Sequence, residues 1–155
     1  MATARGLPLG LRVAYLAMHR HTDACLAKSG CTADQFVILG LLARKDGVTQ
    51  QELVRRASSD PNTVRAMLLL LERRGLVERM GHPIDGRARS VMLTGKGRRL
   101  HLRQLADTEP LRKRLRALFL PEEEKALVDF LARISEALSR PPGRKYAKKA
   151  KGEPG

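Results

Sequence analysis

The sequence predicts a mainly α-helical chain that carries one small β-hairpin. Three observations predict this. Apolar residues recur at helical spacing over most of the chain. Several of those stretches open on residues that cap a helix start. The period shortens to that of a strand only around residues 76–80 and 90–94, on either side of an Asp85-Gly86 turn signal.

Each element follows from its residues. Leu9, Val13, Leu16, Ala17, Ala24 and Leu26 place a helix over residues 9–28, which Ser29-Gly30 ends. Thr32-Ala-Asp-Gln35 matches a capping box and opens a helix holding Phe36, Leu39, Leu42 and Ala43. Val48-Thr49 is a short β-branched stretch. Thr49-Gln-Gln-Glu52 reads as a second capping box, on a helix of barely two turns through Leu53, Val54 and Ala57. After a Ser58-Ser59 turn, Asp60 is an N-cap and Pro61 the first helical residue. The buried stripe of that helix is Val64, Met67, Leu68 and Leu71, and Gly75 suits its left-handed end. Strands over Leu76–Met80 and Ser90–Thr94 flank a hairpin with a basic tip. Thr94 caps a Leu-rich helix, in which Pro110 is expected to make a kink or break. Pro121-Glu-Glu-Glu124 starts a last helix with the stripe Leu127, Phe130, Leu131, Ile134 and Leu138. Residues 140–155 hold Pro, Gly, Lys and Arg with few apolar residues, and read as a disordered basic tail.

This order of elements predicts a winged helix-turn-helix. The short helix and its tight turn hold the helix that starts at Asp60 at a fixed angle, so that its N-terminal end can enter a major groove. The hairpin projects beside it, where arginines reach phosphates or the minor groove. The expected organisation is an N-terminal dimerisation helix (1–31), a winged helix-turn-helix lobe (32–97), C-terminal dimerisation helices (98–139) and the tail (140–155).

Charge agrees with a nucleic-acid partner. The net charge of +14 is concentrated: residues 44–103 contain 14 basic and 6 acidic residues, whereas 104–139 contain 6 and 7. A localised polyanion-binding surface is the expectation. Aromatic residues make up only 3%, which argues against a base-stacking platform for single strands. The chain carries no Gly-rich phosphate loop, nucleophile elbow or His-Glu-x-x-His pair, so an enzyme is not expected. No cofactor or metal is expected either. The Leu7–Met18 stretch is too short and too interrupted by Pro8, Gly10 and Arg12 for a membrane span. Two cysteines are too few for a disulfide framework, and the expected compartment is the cytoplasm.

Gly30-Cys-Thr-Ala-Asp-Gln-Phe36, Thr49-Gln-Gln-Glu-Leu53, Leu71-Glu-Arg-Arg-Gly-Leu-Val-Glu-Arg79 and Asp85-Gly-Arg-Ala-Arg-Ser-Val-Met-Leu-Thr94, followed by Gly97, resemble the MarR family of bacterial regulators. The resemblance covers about residues 9–138, and its most specific part is 71–97, with the Asp-x-Arg wing and a strand ending Leu-Thr-x-x-Gly. It implies a homodimer with interlocking N- and C-terminal helices, set on two half-sites of a near-palindromic double-stranded operator. It also implies repression relieved by a small-molecule effector or an oxidant. Two positions depart from the family pattern. Val64 is followed by Arg65 and Ala66 where relatives often have Ser or Thr and then Arg, and Cys31 stands where Leu is usual.

The expected DNA-binding residues are Thr49, Gln50, Ser58, Asn62, Thr63, Arg65, Asp85, Arg87 and Arg89. Arg reads guanine and Asn reads adenine through paired hydrogen bonds, and this singles out Arg65 and Asn62. Asn62 and Thr63 have a second reading, in which they only satisfy the helix start. Arg87 is expected in the minor groove or on phosphate. Asp85 either positions the wing arginines or simply forms the turn, and Arg89 either meets phosphate or pairs with Asp85. Arg73 and Arg74, at the far end of the helix, read as solvated or as favouring its negative terminus. The resemblance places an effector pocket near Arg12, Tyr15 and His19, against a reading as interface packing. It also makes Cys25 and Cys31 candidate redox sensors, against a reading as small buried apolar residues. A non-specific architectural nucleic-acid binder is the competing function.

Overall fold

The computed structural model describes residues 6–45, 47–81 and 89–139. Helix α1 (Gly6–Leu26) is followed by a single 3-10 turn, Ala27–Ser29, that ends on Gly30 at φ 67°. Helix α1 thus begins earlier than the apolar periodicity suggests and includes Pro8 and Gly10. Helix α2 (Ala33–Arg44) starts on the expected capping box: the Gln35 amide donates to Thr32 Oγ1 at 3.1 Å, and the Thr32 amide donates to Gln35 Oε1 at 3.1 Å.

Strand β1 (Val48–Thr49) leads into α3 (Gln50–Arg56) and then α4 (Pro61–Arg73). Only half of the second expected capping box is made. The Glu52 amide donates to Thr49 Oγ1 at 3.2 Å, but the Glu52 carboxylate lies 3.6 Å from Lys45 Nζ and 3.8 Å from Arg56 Nη2. Those two cations hold the carboxylate that the box would have used.

Strands β2 (Val77–Gly81) and β3 (Arg89–Leu93) pair antiparallel, with Val77 opposite Leu93 and Gly81 opposite Arg89. The hairpin is not alone. Strand β1 adds to its other edge, Val48 opposite Val91, giving a three-stranded sheet in the order β1-β3-β2. The β-branched Val48-Thr49 pair is therefore the seam that ties the start of α3 to the wing.

Of the kink or break expected at Pro110, the break does not occur: helix α5 (Gly95–Arg116) runs on through it. A proline removes one hydrogen bond, and the turns on either side carry the helix past it. Helix α6 (Pro121–Leu138) begins where the Leu120 amide donates to Glu123 Oε2 at 2.8 Å, with Glu122, Glu123 and Glu124 in its first, positive turn. The chain forms two compact units, one ending at Leu111 and one beginning at Arg112.

The core lies in the first unit. Ile38, Leu39 and Leu42 of α2, Val48 of β1, Leu53 of α3, Val64, Leu68 and Leu71 of α4, Val77 of β2 and Val91 of β3 close around one another and are all buried. Burying each such aliphatic side chain contributes about 1.5–3 kcal/mol. The three from α4 therefore fix the rotation of that helix about its own axis, which decides which residues it shows to solvent. Among the described residues no single helix is long and apolar enough to cross a membrane.

Candidate nucleic-acid interface

Helix α4 starts with Asp60. The Thr63 amide donates to Asp60 Oδ1 at 2.9 Å and the Thr63 hydroxyl donates to Oδ2 at 2.6 Å. These two bonds, the hydroxyl first, hold the Asp60 carboxyl below its usual range. They also define what Thr63 has left. Its hydroxyl proton is already given to Asp60, so an outside partner meets its oxygen lone pairs and its methyl group.

With Val64, Leu68 and Leu71 turned into the core, the opposite face of α4 shows Asn62, Arg65, Ala66 and Leu69, spaced i, i+3, i+4 and i+7. Asn62 and Arg65 are exposed, and their side chains make no hydrogen bond or ion pair among the described residues. Their amide and guanidinium groups are therefore free for an outside partner, at the helix end where backbone N–H groups and the dipole attract negative charge. Ala66 belongs to this face as well. The sequence reading passed it over because a methyl group carries no polar signal, although it fits the methyl of a thymine.

The remaining expected contacts divide into three groups. Thr49 Oγ1 is occupied as the cap of α3, Gln50 is half-buried beside it, and Ser58 is exposed on the turn between α3 and α4. Ser58 adopts φ 49°, the only positive φ of a non-glycine residue among the described residues. That conformation costs about 1–2 kcal/mol. It is held by the Ser58 amide on Arg55 O at 3.2 Å and the Ser59 amide on Val54 O at 3.0 Å. Arg89 is exposed at the first position of β3. Asp85 and Arg87 lie outside the described residues.

On α1, Arg12 and Tyr15 are exposed and His19 is half-buried. Tyr15 Oη lies 3.5 Å from His19 Nδ1, and His19 Nε2 lies 3.5 Å from Asp23 Oδ2. Asp23 Oδ1 in turn accepts from the Ala33 amide at 2.6 Å. These contacts form one polar line from the face of α1 to the first turn of α2. A shallow cavity of about 240 Å³ on α1 is lined by Ala17, Arg20, His21 and Ala24, not by the three residues singled out from the sequence.

Both cysteines are free thiols, Cys25 half-buried and Cys31 buried. Sequence alone offered Cys31 no cationic neighbour nearer than Lys28. The fold supplies one from 43 residues away, with Arg74 Nη1 at 3.2 Å from Cys31 Sγ. Arg74 is thus not merely solvated. It caps the far end of α4 and donates to Gly30 O at 2.9 Å and Ser29 O at 2.7 Å. Among the described residues no group of three or more His, Cys, Asp or Glu side chains could hold a metal.

A buried-core lobe that presents the free polar face of one helix beside a three-stranded wing defines a winged helix-turn-helix DNA-binding protein. The known relatives agree. The MarR family profile matches residues 31–88. The HTH-type transcriptional regulator YdgJ of Bacillus subtilis is 31% identical over 112 residues, which span 72% of this chain and just under two thirds (66%) of that protein. An HTH-type transcriptional repressor of Mycobacterium tuberculosis is 34% identical over 103 residues, 64% of this chain and 73% of the relative. The solved structure of the transcriptional repressor CouR bound to a 23-mer DNA duplex matches with a TM-score of 0.76 at 32% identity, covering 83% of this chain and 92% of that one. The chain belongs to the MarR family, and it is a DNA-binding transcriptional regulator of that type rather than an enzyme.

Proposed function

We propose that this protein is a dimeric, sequence-specific repressor in the cytoplasm. Each lobe sets α4 into one half-site of a near-palindromic operator. The carrying observation is the exposed face of α4, with the side chains of Asn62 and Arg65 free of partners among the described residues, on a helix that Val64, Leu68 and Leu71 anchor. Arg65 and Asn62 read base edges, Thr63 and Ala66 meet base methyl groups, and Thr49, Gln50, Ser58 and Arg89 meet phosphate. Arg87 reaches into the minor groove, steered by Asp85.

Pairing of two chains is supported by apolar surface left exposed on the described residues of one chain. Leu7, Leu9 and Val13 of α1 and Val128, Phe130 and Leu138 of α6 are all more than half exposed. Apolar surface on this scale marks an interaction face. Release by a small-molecule effector is supported by the polar line from Tyr15 through His19 and Asp23 to α2, because a ligand at Arg12, Tyr15 and His19 would disturb the hold of Asp23 on the α2 N-terminus. Release by an oxidant is supported by Cys31, whose sulfur shares Arg74 with the end of α4.

The test is fluorescence anisotropy on DNA from upstream of the protein's own gene, against scrambled DNA of equal length, at about 0.15 M salt, where the Debye length is roughly 8 Å. The expected preference is roughly 10³-fold or more. Arg65→Ala is expected to relax specificity at one position per half-site, by about 1–3 kcal/mol. The concentration of basic residues in 44–103 favours a second reading, a non-specific architectural binder. Equal binding to both DNAs with a steep salt dependence, and an equal loss on both in Arg65→Ala, would select it.

A further inference from the structure

At the opposite end of α4 from the Asn62–Arg65 face lies a cavity of about 470 Å³, within the size range of small-molecule sites. Helix α4 has 13 residues, so the cavity sits about 20 Å along the helix axis from the end that faces DNA. Among the described residues its wall holds Lys28, Arg74, Lys96 and Arg103, opposed by a single carboxylate, Asp107. Its apolar floor is made by the buried Leu76 and Leu100, with Ala106 beside them.

Two of the four cations are committed. Arg74 donates to Ser29 O, Gly30 O and Cys31 Sγ, and Lys96 Nζ donates to Arg74 O at 2.7 Å. The other two, Lys28 and Arg103, have no hydrogen bond or ion pair among the described residues, and neither has Asp107. Like charges gathered in one concave site repel one another, and an anion placed between them relieves that repulsion. A guanidinium fork with ammonium groups around it is the donor set that phosphoryl oxygens take.

We propose that this cavity is a binding site for a small organic phosphate, its dianionic phosphoryl group held by Lys28, Arg74, Lys96 and Arg103 and its organic body resting on Leu76, Leu100 and Ala106. The excess of cations over carboxylate favours a dianion over a singly charged ligand. The distance from the DNA-facing end of α4 favours a free phosphate ester over the DNA backbone. The site is separate from Arg12, Tyr15 and His19; its assignment to a free ester over the DNA backbone rests on the proposed reading of α4, whereas binding itself is tested on the free protein without DNA. Because Arg74 ties the end of α4 to the α1–α2 connection, an occupant of this site touches the group that holds the DNA-reading helix in place.

The experiment is calorimetric titration of the full chain with phenyl phosphate at about pH 8, above the second phosphate ionisation near 6, so that the probe is a dianion. Saturable binding at one site per chain is expected. It should weaken by roughly tenfold or more in a Lys28→Ala/Arg103→Ala variant, since charge-assisted hydrogen bonds are the strong ones. Both side chains are exposed and unpartnered among the described residues, so the variant should keep the melting temperature of the parent. An Arg20→Ala/Arg55→Ala variant, with two charges removed elsewhere, should bind as the parent does. Phenyl sulfate, of the same shape with one charge, and inorganic phosphate, with no organic body, should both bind more weakly. Duplex affinity should be the same in the Lys28→Ala/Arg103→Ala variant and the parent.

Absence of saturable binding overturns the proposal. So does an equal loss in the two variants, which would make binding a property of the net charge. Inorganic phosphate or phenyl sulfate binding as tightly as phenyl phosphate would overturn the ligand class. A loss of duplex affinity in Lys28→Ala/Arg103→Ala would assign the cavity to the nucleic-acid surface instead.

Discussion

Gly97 shows how a single residue joins two distant parts of the chain. It is buried in the first turn of α5, and a Cβ there would overlap the carbonyl of Leu76 and lie 3.2 Å from Leu93 Cδ2. Thr94, three residues earlier, holds the same junction. Its hydroxyl donates to Gly75 O at 2.6 Å and accepts from the Gly97 amide at 3.0 Å, while its amide donates to Leu76 O at 3.1 Å. The Leu-Thr-x-x-Gly signature therefore has a physical basis, in which Thr caps α5 on the start of β2 and Gly lets the backbones meet. Gly97→Ala is expected to destabilise the lobe by about 1–3 kcal/mol or more, because backbone has to move to admit the methyl group. Chemical denaturation measures it, and an unchanged midpoint would show that the junction can open without cost. Ser58 is the opposite case, a side chain carried in a conformation that suits glycine at the turn before α4. Such strain is common where a turn presents a functional group.

At the scale of an element, α4 illustrates how one helix serves two masters. Its inner stripe packs in the core and its outer face carries Asn62 and Arg65 with Ala66 and Leu69, so rotation and N-terminal geometry are both set by the fold itself. The Asp60 cap adds a pH dependence. Its ionised carboxylate accepts two bonds from Thr63, and its pKa in the folded protein lies below the ordinary 3.8. The stability it contributes is thus fully present above pH 3.8 and is lost as pH falls through the lower folded value. Asp60→Asn keeps a capping oxygen but not the charge. The difference in melting temperature between parent and variant is expected to be constant above this range and to shrink below it, as circular dichroism can follow. A difference that stays constant into strong acid would show that the cap works without its charge.

At the scale of the whole molecule, the proposed pairing of two chains rests on the exposed apolar residues of α1 and α6. The unit beginning at Arg112 buries none of the α6 residues in the single chain, and the stripe of Leu127, Phe130, Leu131 and Leu138 remains open. Covering Phe130 and its neighbours in a second copy removes apolar area worth about 1.5–3 kcal/mol per large side chain. Phe130→Glu is expected to shift the protein from dimer to monomer in sedimentation velocity. It should weaken operator binding more than binding of a single half-site, because two tethered lobes gain from each other's effective concentration. A variant that stays dimeric would move the interface away from α6.

The sequence by itself determined most of what depends on neighbours three or four residues apart. The capping box at Thr32, the Asp60-Pro61 start of α4, the stripe of Val64, Leu68 and Leu71 and the strand alternation about Asp85-Gly86 are local patterns. Local physics is enough to read them, and with them the class of protein. Other features were settled by partners that sequence spacing does not reveal. Lys45, from outside α3, draws the Glu52 carboxylate off its box, β1 joins β3 across more than 40 residues, and Arg74 reaches back to Gly30 and Cys31. The cavity that gathers Lys28, Arg74, Lys96 and Arg103 exists only once three separate stretches of chain converge. Tertiary packing decided these because a side chain's charge or hydroxyl goes to the strongest partner within reach, and reach is a property of the folded chain.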